Sequence, residues 1–219
     1  MNTNISLRQI NKLAIPAIIA GISEPILSLT DAAIVGHMSV HATESLAAVG
    51  VVTAFLSMLI WVLGQSRSAI SSIVSQYVGA NKINEVKDLP IQAIAIILLI
   101  STVVCVITYP FSRSIFSLYN ASGLLLDYSV SYYKIRVIGL PFTLYVFAVF
   151  GVFRGLQNTY YPMIIAITGA TVNILLDFIL VYGIKDWFLP LNLQGAAIGN
   201  HFDLAFVGPC GALTLYHFS

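Results

Sequence analysis

Three polar side chains stand inside stretches of the sequence that are otherwise almost wholly apolar. Asp31 lies in one such stretch, and Asn173 and Asp177 lie four residues apart in another. A carboxylate that must cross a bilayer costs about 2.5–3.5 kcal/mol on insertion scales, so it either serves a function or simply pairs with a neighbouring helix. The chemistry open to these groups is the binding of a proton or of a small cation.

Two carboxyl groups held close together in a low dielectric cannot both ionise cheaply, so one of them tends to hold a proton. Release of that proton when water enters, and its recapture when the cavity closes, would couple proton movement to a conformational change. Sodium would suit the same oxygen atoms, especially with the Asn173 amide. The residues alone therefore leave the ion open between a proton and Na+.

The composition indicates the class of protein that must position these groups. Of 219 residues, 58% are hydrophobic and 9% are charged, against about 25% charged residues in soluble domains. The chain is therefore expected to be an integral membrane protein. A net charge of +1 gives no sign of a nucleic-acid partner, and Cys105 and Cys210 lack metal or disulfide spacing. No enzyme motif, metal site or cofactor site is recognisable.

A membrane-spanning helix needs about 20 mostly apolar residues. The hydropathy pattern predicts an all-α bundle of six such helices, with the second interrupted at residues 64–67. The short loops that lie on the side of the N-terminus carry more Lys and Arg than the opposite loops, which places the N-terminus in the cytoplasm. The predicted helices are about 13–35, 46–74, 89–109, 128–150, 162–182 and 195–215.

The depth of the polar residues predicts where they meet. Asp31 lies in the outer half of the first helix, and Asn173 and Asp177 lie toward the outer end of the fifth. The fourth helix runs the other way and brings Tyr132 and Arg136 to a similar level. Lipid does not solvate such groups, so we expect them to converge on a polar, outward-accessible pocket. Arg136 could instead serve as an ion-pair partner of Asp177.

The first helix carries further unusual residues. Glu24 stands one heptad before Asp31, on nearly the same face and about 10 Å deeper at 1.5 Å per residue. Pro16 and Pro25 interrupt the hydrogen bonds of the same helix, as a bend beside a substrate path or as a static kink. Glycine pairs at four-residue spacing permit close helix contacts elsewhere: Gly151 with Gly155, and Gly195 with Gly199.

The run Leu29-Thr30-Asp31-Ala32-Ala33-Ile34-Val35-Gly36-His37 resembles the first-helix signature of the multidrug and toxic compound extrusion (MATE) family, in the branch of the DNA-damage-inducible protein F. Further stretches fit in order along residues 5–199: Ala47–Gly50, Ser75–Ala80, Arg154–Thr159, Asn173–Asp177 and Gly195–Gly199. The resemblance implies that residues 1–199 form the N-terminal six-helix lobe of a twelve-helix transporter.

The resemblance also implies a function: a cation-coupled antiporter, with H+ favoured over Na+, that exports drugs and other amphipathic, often cationic compounds by alternating access. Asp31 would be the protonation site, Pro16 the place where the first helix bends, and Asn173, Asp177 and Tyr132 the other members of the network. Glu24 is included chiefly for its heptad spacing. No cofactor is implied beyond the coupling ion, and the partners are membrane lipid and a drug-like molecule.

The sequence departs from the family in two ways. It supplies one lobe, and residues 200–219 no longer resemble the family's sixth helix, as a truncation or frameshift would explain. We do not expect the chain to replace the second lobe by pairing with itself. Two alternatives stay open: a non-transporting membrane fragment, and a lipid-linked sugar flippase of the same superfamily. In each case the chain is expected to be a multi-pass protein of a prokaryotic inner membrane.

Overall fold

The structure is a computed structural model that describes residues 6–38, 41–86, 88–183 and 191–200. These residues are almost entirely helical, which confirms the all-α class. A 3-10 turn occupies Ile83–Val86, and residues 193–200 are helical as well. The longer helices are α1 (Leu7–Gly36), α2 (Ala42–Gly64), α3 (Ser66–Gly79), α4 (Leu89–Leu118), α5 (Gly123–Ile138), α6 (Leu140–Gly155) and α7 (Tyr160–Tyr182).

By length and composition, the described helices form up to five membrane-spanning units. α1, α4 and α7 are each long and apolar enough to cross a bilayer, and α2 with α3 makes one such unit over Ala42–Gly79. α5 and α6 together make a fifth, bent by 43°. The sixth predicted helix, 195–215, begins within residues 193–200; its remainder, and the expected divergence after residue 200, lie outside the described residues.

The fourth predicted span, expected as one helix over 128–150, is in fact two helices. α5 ends at Ile138, and α6 begins at Leu140 with Pro141 in its first turn. Proline has no N–H to donate and disfavours helical backbone in the residue before it, so it starts a helix more readily than it continues one. The expectation of one helix was wrong because hydropathy is unbroken on both sides of Pro141 and carries no signal of the stop.

α1 is continuous from Leu7 to Gly36. It begins with a capping box, in which the Ser6 hydroxyl accepts the Gln9 N–H and the Gln9 side chain accepts the Ser6 N–H. Pro16 and Pro25 both lie inside this unbroken helix. A bend at either proline stays a prediction.

Close contact between α3 and α6 depends on two glycines, as their four-residue spacing predicted. An ideal Cβ atom on Gly151 would lie 2.7 Å from the Arg67 carbonyl oxygen, and one on Gly155 would lie 2.5 Å from Cβ of Val74. Any larger residue would therefore force the two helices apart. Membrane helices pack through such small residues because lipid supplies no hydrophobic drive for their association.

α1 is held to α7 by hydrogen bonds near both of its ends. The Tyr182 hydroxyl donates to the Ile34 carbonyl oxygen at 2.9 Å, and the Thr159 hydroxyl donates to the Leu13 carbonyl oxygen at 3.0 Å. Thr159 lies just before α7 and Tyr182 is its last residue. α7 consequently sets the height of α1, and with it the level of Asp31 in the bundle.

Candidate functional site

Asp31 lies near the end of α1, where only 7% of its surface is exposed. The Asn200 side-chain nitrogen donates to Asp31 Oδ2 at 3.1 Å and also to the Ala196 carbonyl oxygen at 2.9 Å. Asp31 Oδ1 is buried and has no hydrogen-bond partner among the described residues. One carboxylate oxygen is thus held in place, and the other is available to a proton or a cation.

α7 contributes Asn173 and Asp177, and both are completely buried. The Asp177 carboxylate packs against Gly199, so closely that a Cβ atom there would overlap Asp177 Oδ1. Within the described part of the chain, neither amide atom of Asn173 has a hydrogen-bond partner. Buried polar atoms are nearly always satisfied, by protein or by a bound species. Asn173 is therefore suited to contact whatever enters the site.

Tyr132 of α5 completes the site from a third side, with 1% of its surface exposed. It lies near enough to Asp31, Asp177 and Arg136 for the charge of each to act on its hydroxyl. The Arg136 guanidinium carbon is 5.9 Å from the centre of the Tyr132 ring, a cation–π contact. The contact that the structure shows for Arg136 is thus with Tyr132, whereas the sequence offered Asp177 as its partner.

Asp31, Asn173, Asp177 and Tyr132 are all buried, and the pocket is closed. Adjacent residues of the helical segment 193–200 touch both acids: Asn200 bonds to Asp31, and Gly199 packs on Asp177. The expectation of an outward-accessible pocket is therefore wrong for this conformation. The physical reason is close packing, because an ideal Cβ atom on Gly195 would lie 2.5 Å from the Leu180 carbonyl oxygen.

Glu24 lies apart from the other predicted site residues. Its side chain is exposed, and the charge that acts on it is that of Arg67 on α3. The heptad spacing does place Glu24 and Asp31 on nearly the same face of α1. At about 10 Å along the helix axis, however, the neighbours that bury Asp31 no longer cover Glu24. Pro25, next to Glu24, is exposed as well, and Pro16 is half-buried.

Asn200 is the site residue that the sequence analysis missed. It is the first residue of the stretch 200–219, which is expected to diverge from the family. The sequence does carry a signal for it, because Asn200 directly follows the Gly195–Gly199 run. A residue one position further along the same helix lies at nearly the same depth in the membrane. Among the described residues, no group of three or more His, Cys, Asp or Glu side chains is arranged to hold a metal ion.

Comparison with known proteins identifies the family. The MatE family model matches residues 16–179, a range that includes Asp31, Asn173 and Asp177. The chain belongs to the MATE family. This is a family of multi-pass membrane transporters, and the three residues that the sequence singled out, one on α1 and two on α7, all fall within the matched range.

Several MATE proteins illustrate the relationship. The chain is 28% identical over 189 residues to the DNA damage-inducible protein F of Escherichia coli (strain K12), covering 86% of the chain and 39% of that protein. It is 33% identical over 111 residues to the multidrug export protein MepA of Staphylococcus haemolyticus (strain JCSC1435), covering 51% of the chain and 24% of that protein. The chain thus spans well under half the length of these relatives.

The fold of the chain is also similar to the folds of solved MATE structures. The bent form of the Vibrio cholerae MATE transporter VcmN superimposes with a TM-score of 0.86 at 20% identity, covering 96% of the chain and 46% of that protein. At this identity the similarity establishes the fold alone. The all-α membrane fold expected from the sequence is therefore confirmed, as about one lobe of a MATE transporter.

Proposed function

We propose that the chain is the N-terminal lobe of a proton-coupled antiporter that exports amphipathic, often cationic compounds by alternating access. Membership of the MATE family supports the transporter part, and the similarity to a protein named as a multidrug export protein supports the substrate class. The observation that carries the coupling part is Asp31, buried with one oxygen held by Asn200 and the other unpartnered among the described residues.

The proposed mechanism follows from the closed site. Asp31 and Asp177 are both buried, and ionising both in a low dielectric is unfavourable, so closure favours a proton on one of them. Opening the site to water on the opposite side favours release. Asn200 moves with the helical segment 193–200, so displacement of that segment removes a hydrogen bond from Asp31. Proton occupancy is thereby linked to helix position, which is the requirement for antiport.

Sodium is the competing coupling ion. Asp31 Oδ1 and Asn173 Oδ1 are the oxygen atoms it would use, since neither has a hydrogen-bond partner among the described residues. We favour the proton because it needs one carboxyl group, whereas a metal ion needs several oxygen ligands at once. The chain would lie in a prokaryotic inner membrane with its N-terminus in the cytoplasm. A second lobe would form the other wall of the substrate path.

The test measures proton release on substrate binding. The chain is purified into nanodiscs in weak buffer with a pH-indicator dye, and ethidium, a fluorescent amphipathic cation, is added with and without Na+. If Asp31 exchanges a proton for the bound cation, about one proton is released per ethidium bound, independently of Na+. Asp31→Asn should abolish the release. Asp127→Asn is the matched control, because Asp127 is exposed and paired with Arg113 at 2.9 Å.

Each outcome discriminates between the readings. Equal proton release from wild type and the Asp31→Asn variant would remove Asp31 from coupling. Ethidium binding that depends on Na+ and releases no proton would replace the proton by Na+. No ethidium binding by the folded wild-type chain would contradict the proposal and support the reading of a non-transporting fragment.

A further inference from the structure

Three charged side chains lie together in the half of the lobe that is predicted to face the cytoplasm, away from Asp31. We call Glu24 of α1, Arg67 of α3 and Arg154 of α6 the inner charge cluster. The charge of Arg67 acts on both Glu24 and Arg154. Within the described residues, neither guanidinium group forms a salt bridge. Charged side chains at membrane depth usually pair with one another or mark a substrate path, so this cluster is a candidate binding site.

The packing of α3 on α6 shows which way Arg67 extends. Its backbone lies against Gly151, one turn before the end of α6. Its guanidinium carbon, however, is 4.7 Å from the centre of the Phe147 ring, one turn further from that end. The direction is the usual one, because side chains of a helix tilt toward its N-terminus. Arg67 therefore extends toward the middle of the bilayer and away from the inner lipid headgroups.

Arg154 brings a second guanidinium group to the same place. It follows Phe147 by seven residues and so lies on nearly the same face of α6. Its Nε atom is buried and has no hydrogen-bond partner among the described residues. A buried donor on a charged group is costly to leave without an acceptor. Carboxylate and phosphate oxygens accept hydrogen bonds from guanidinium groups, often two at a time, so an oxyanion suits the space between the two arginines.

Glu24 faces the two arginines from a different helix. α1 packs against α7 and α2, whereas α3 packs mainly against α6, so Glu24 and Arg67 stand on helices that are not close neighbours. Glu24 is exposed and Arg67 is half-buried, so both can be reached from the space between them. A bound molecule would meet a negative charge on one side of this space and two positive charges on the other.

We infer that the inner charge cluster recognises a zwitterionic substrate, with its carboxylate or phosphate held by Arg67 and Arg154 and its cationic group beside Glu24. The inference rests on the proposed export function and narrows its substrate class. A molecule with only a cationic group would bring a third positive charge to a cluster that already has two positive charges and one negative charge. A lipid phosphate is a poorer match than a substrate, because Arg67 extends away from the headgroups.

Two dyes that differ in one group test the inference. Rhodamine B carries a cationic ring system and a free carboxylate, and its ethyl ester carries the cationic ring system alone. Their binding to the chain in phosphatidylcholine nanodiscs is followed by fluorescence anisotropy, after subtraction of binding to empty nanodiscs. We expect rhodamine B to bind about tenfold more tightly than its ester, because only the free acid offers an oxyanion to the arginines.

Substitutions assign the preference to the cluster. Arg67→Gln should bring the ratio of the two affinities toward one, and Arg154→Gln provides a second variant in case Arg67→Gln does not fold. Arg113→Gln is the matched control, because Arg113 is exposed and paired with Asp127 at 2.9 Å, and this variant should keep the preference. Glu24→Gln should weaken both dyes by the same factor, since both keep the cationic group.

The results that would overturn the inference are distinct from failure of the proposed function. Equal affinities of the wild-type chain for the two dyes, or a preference that survives in both arginine variants, would mean that the cluster does not bind the oxyanion. Loss of the preference when phosphatidylglycerol replaces phosphatidylcholine would assign the site to a lipid headgroup instead of the substrate.

The ethidium experiment separates the two proposals, because ethidium carries no oxyanion. Normal proton release with ethidium, together with equal affinities for the two rhodamine dyes, would remove this inference and leave the proposed function standing. Absence of ethidium binding, together with a rhodamine B preference that depends on Arg67, would contradict the proposed export of cations and leave the oxyanion site standing.

Discussion

Replacing Gly151 by alanine should destabilise the lobe, because α6 lies against the backbone of α3 at this residue. The added Cβ atom would lie 2.7 Å from the Arg67 carbonyl oxygen and 3.2 Å from both Arg67 Cα and Ile70 Cβ. Ordinary van der Waals contact begins at 3.4 Å, so α6 must move away by the difference, about 0.7 Å. A backbone carbonyl inside a helix cannot rotate aside as a side chain would.

The magnitude follows from the rigidity of the contact. Overpacking a well-packed interior by one methyl group typically costs about 1–3 kcal/mol. The displaced helix also carries Gly155, whose own contact with α3 is as tight, so a shift at Gly151 loosens packing one turn away. We therefore expect the Gly151→Ala variant to lose about 2 kcal/mol in its free energy of unfolding.

Reversible unfolding in mixed micelles, followed by circular dichroism, measures this difference. Gly50→Ala is the matched control, since nothing lies within 4 Å of its added Cβ and the site is exposed on α2. That variant should gain up to about 1 kcal/mol, because alanine favours a helix over glycine. If both variants shift the free energy of unfolding by the same amount, the close approach of α3 and α6 is refuted.

Two further predictions concern single interactions. Tyr182→Phe removes the hydrogen bond to the Ile34 carbonyl oxygen and should lower the free energy of unfolding by about 0.6 kcal/mol, and by at most about 1.7 kcal/mol. Tyr160→Phe, at an exposed tyrosine, is the control. An equal effect of the two substitutions would contradict the assigned hydrogen bond. Arg113→Gln breaks the exposed ion pair with Asp127. It should change the free energy of unfolding by less than about 1 kcal/mol, and the change should vanish at high salt. A larger loss that does not depend on salt would contradict this and would show that the ion pair stabilises the fold.

Much of the fold was predictable because membrane helices leave local signals. Apolar runs of about 20 residues require helices, since only a helix satisfies its own backbone hydrogen bonds in lipid. The break near Gly64 and the close contact at Gly151 and Gly155 were also predictable from local sequence. Pro141 is a local signal for the break at Gly139. The prediction of one helix there was wrong because it relied on hydropathy, which is unbroken across that stretch.

The candidate site was predictable in part. The four-residue spacing puts Asn173 and Asp177 on one face of α7, and depth alone brings Asp31 to their level. The same kind of argument grouped Glu24 with Asp31, yet the structure exposes Glu24 and buries Asp31. Helical spacing tells which residues share a face. It does not tell how far along the helix a neighbour covers that face.

The sequence by itself determined that this chain is a helical membrane protein of the MATE family. It also determined that Asp31, Asn173 and Asp177 are polar groups with a high cost of insertion into the bilayer. Both follow from the sequence because insertion cost and helical period are local properties. Only the tertiary structure decided which groups meet. It brought Asn200 to Asp31 and Gly199 against Asp177, and it closed the site. These outcomes depend on the distances between helices. Small residues set those distances at a few contacts between segments that are far apart in the sequence.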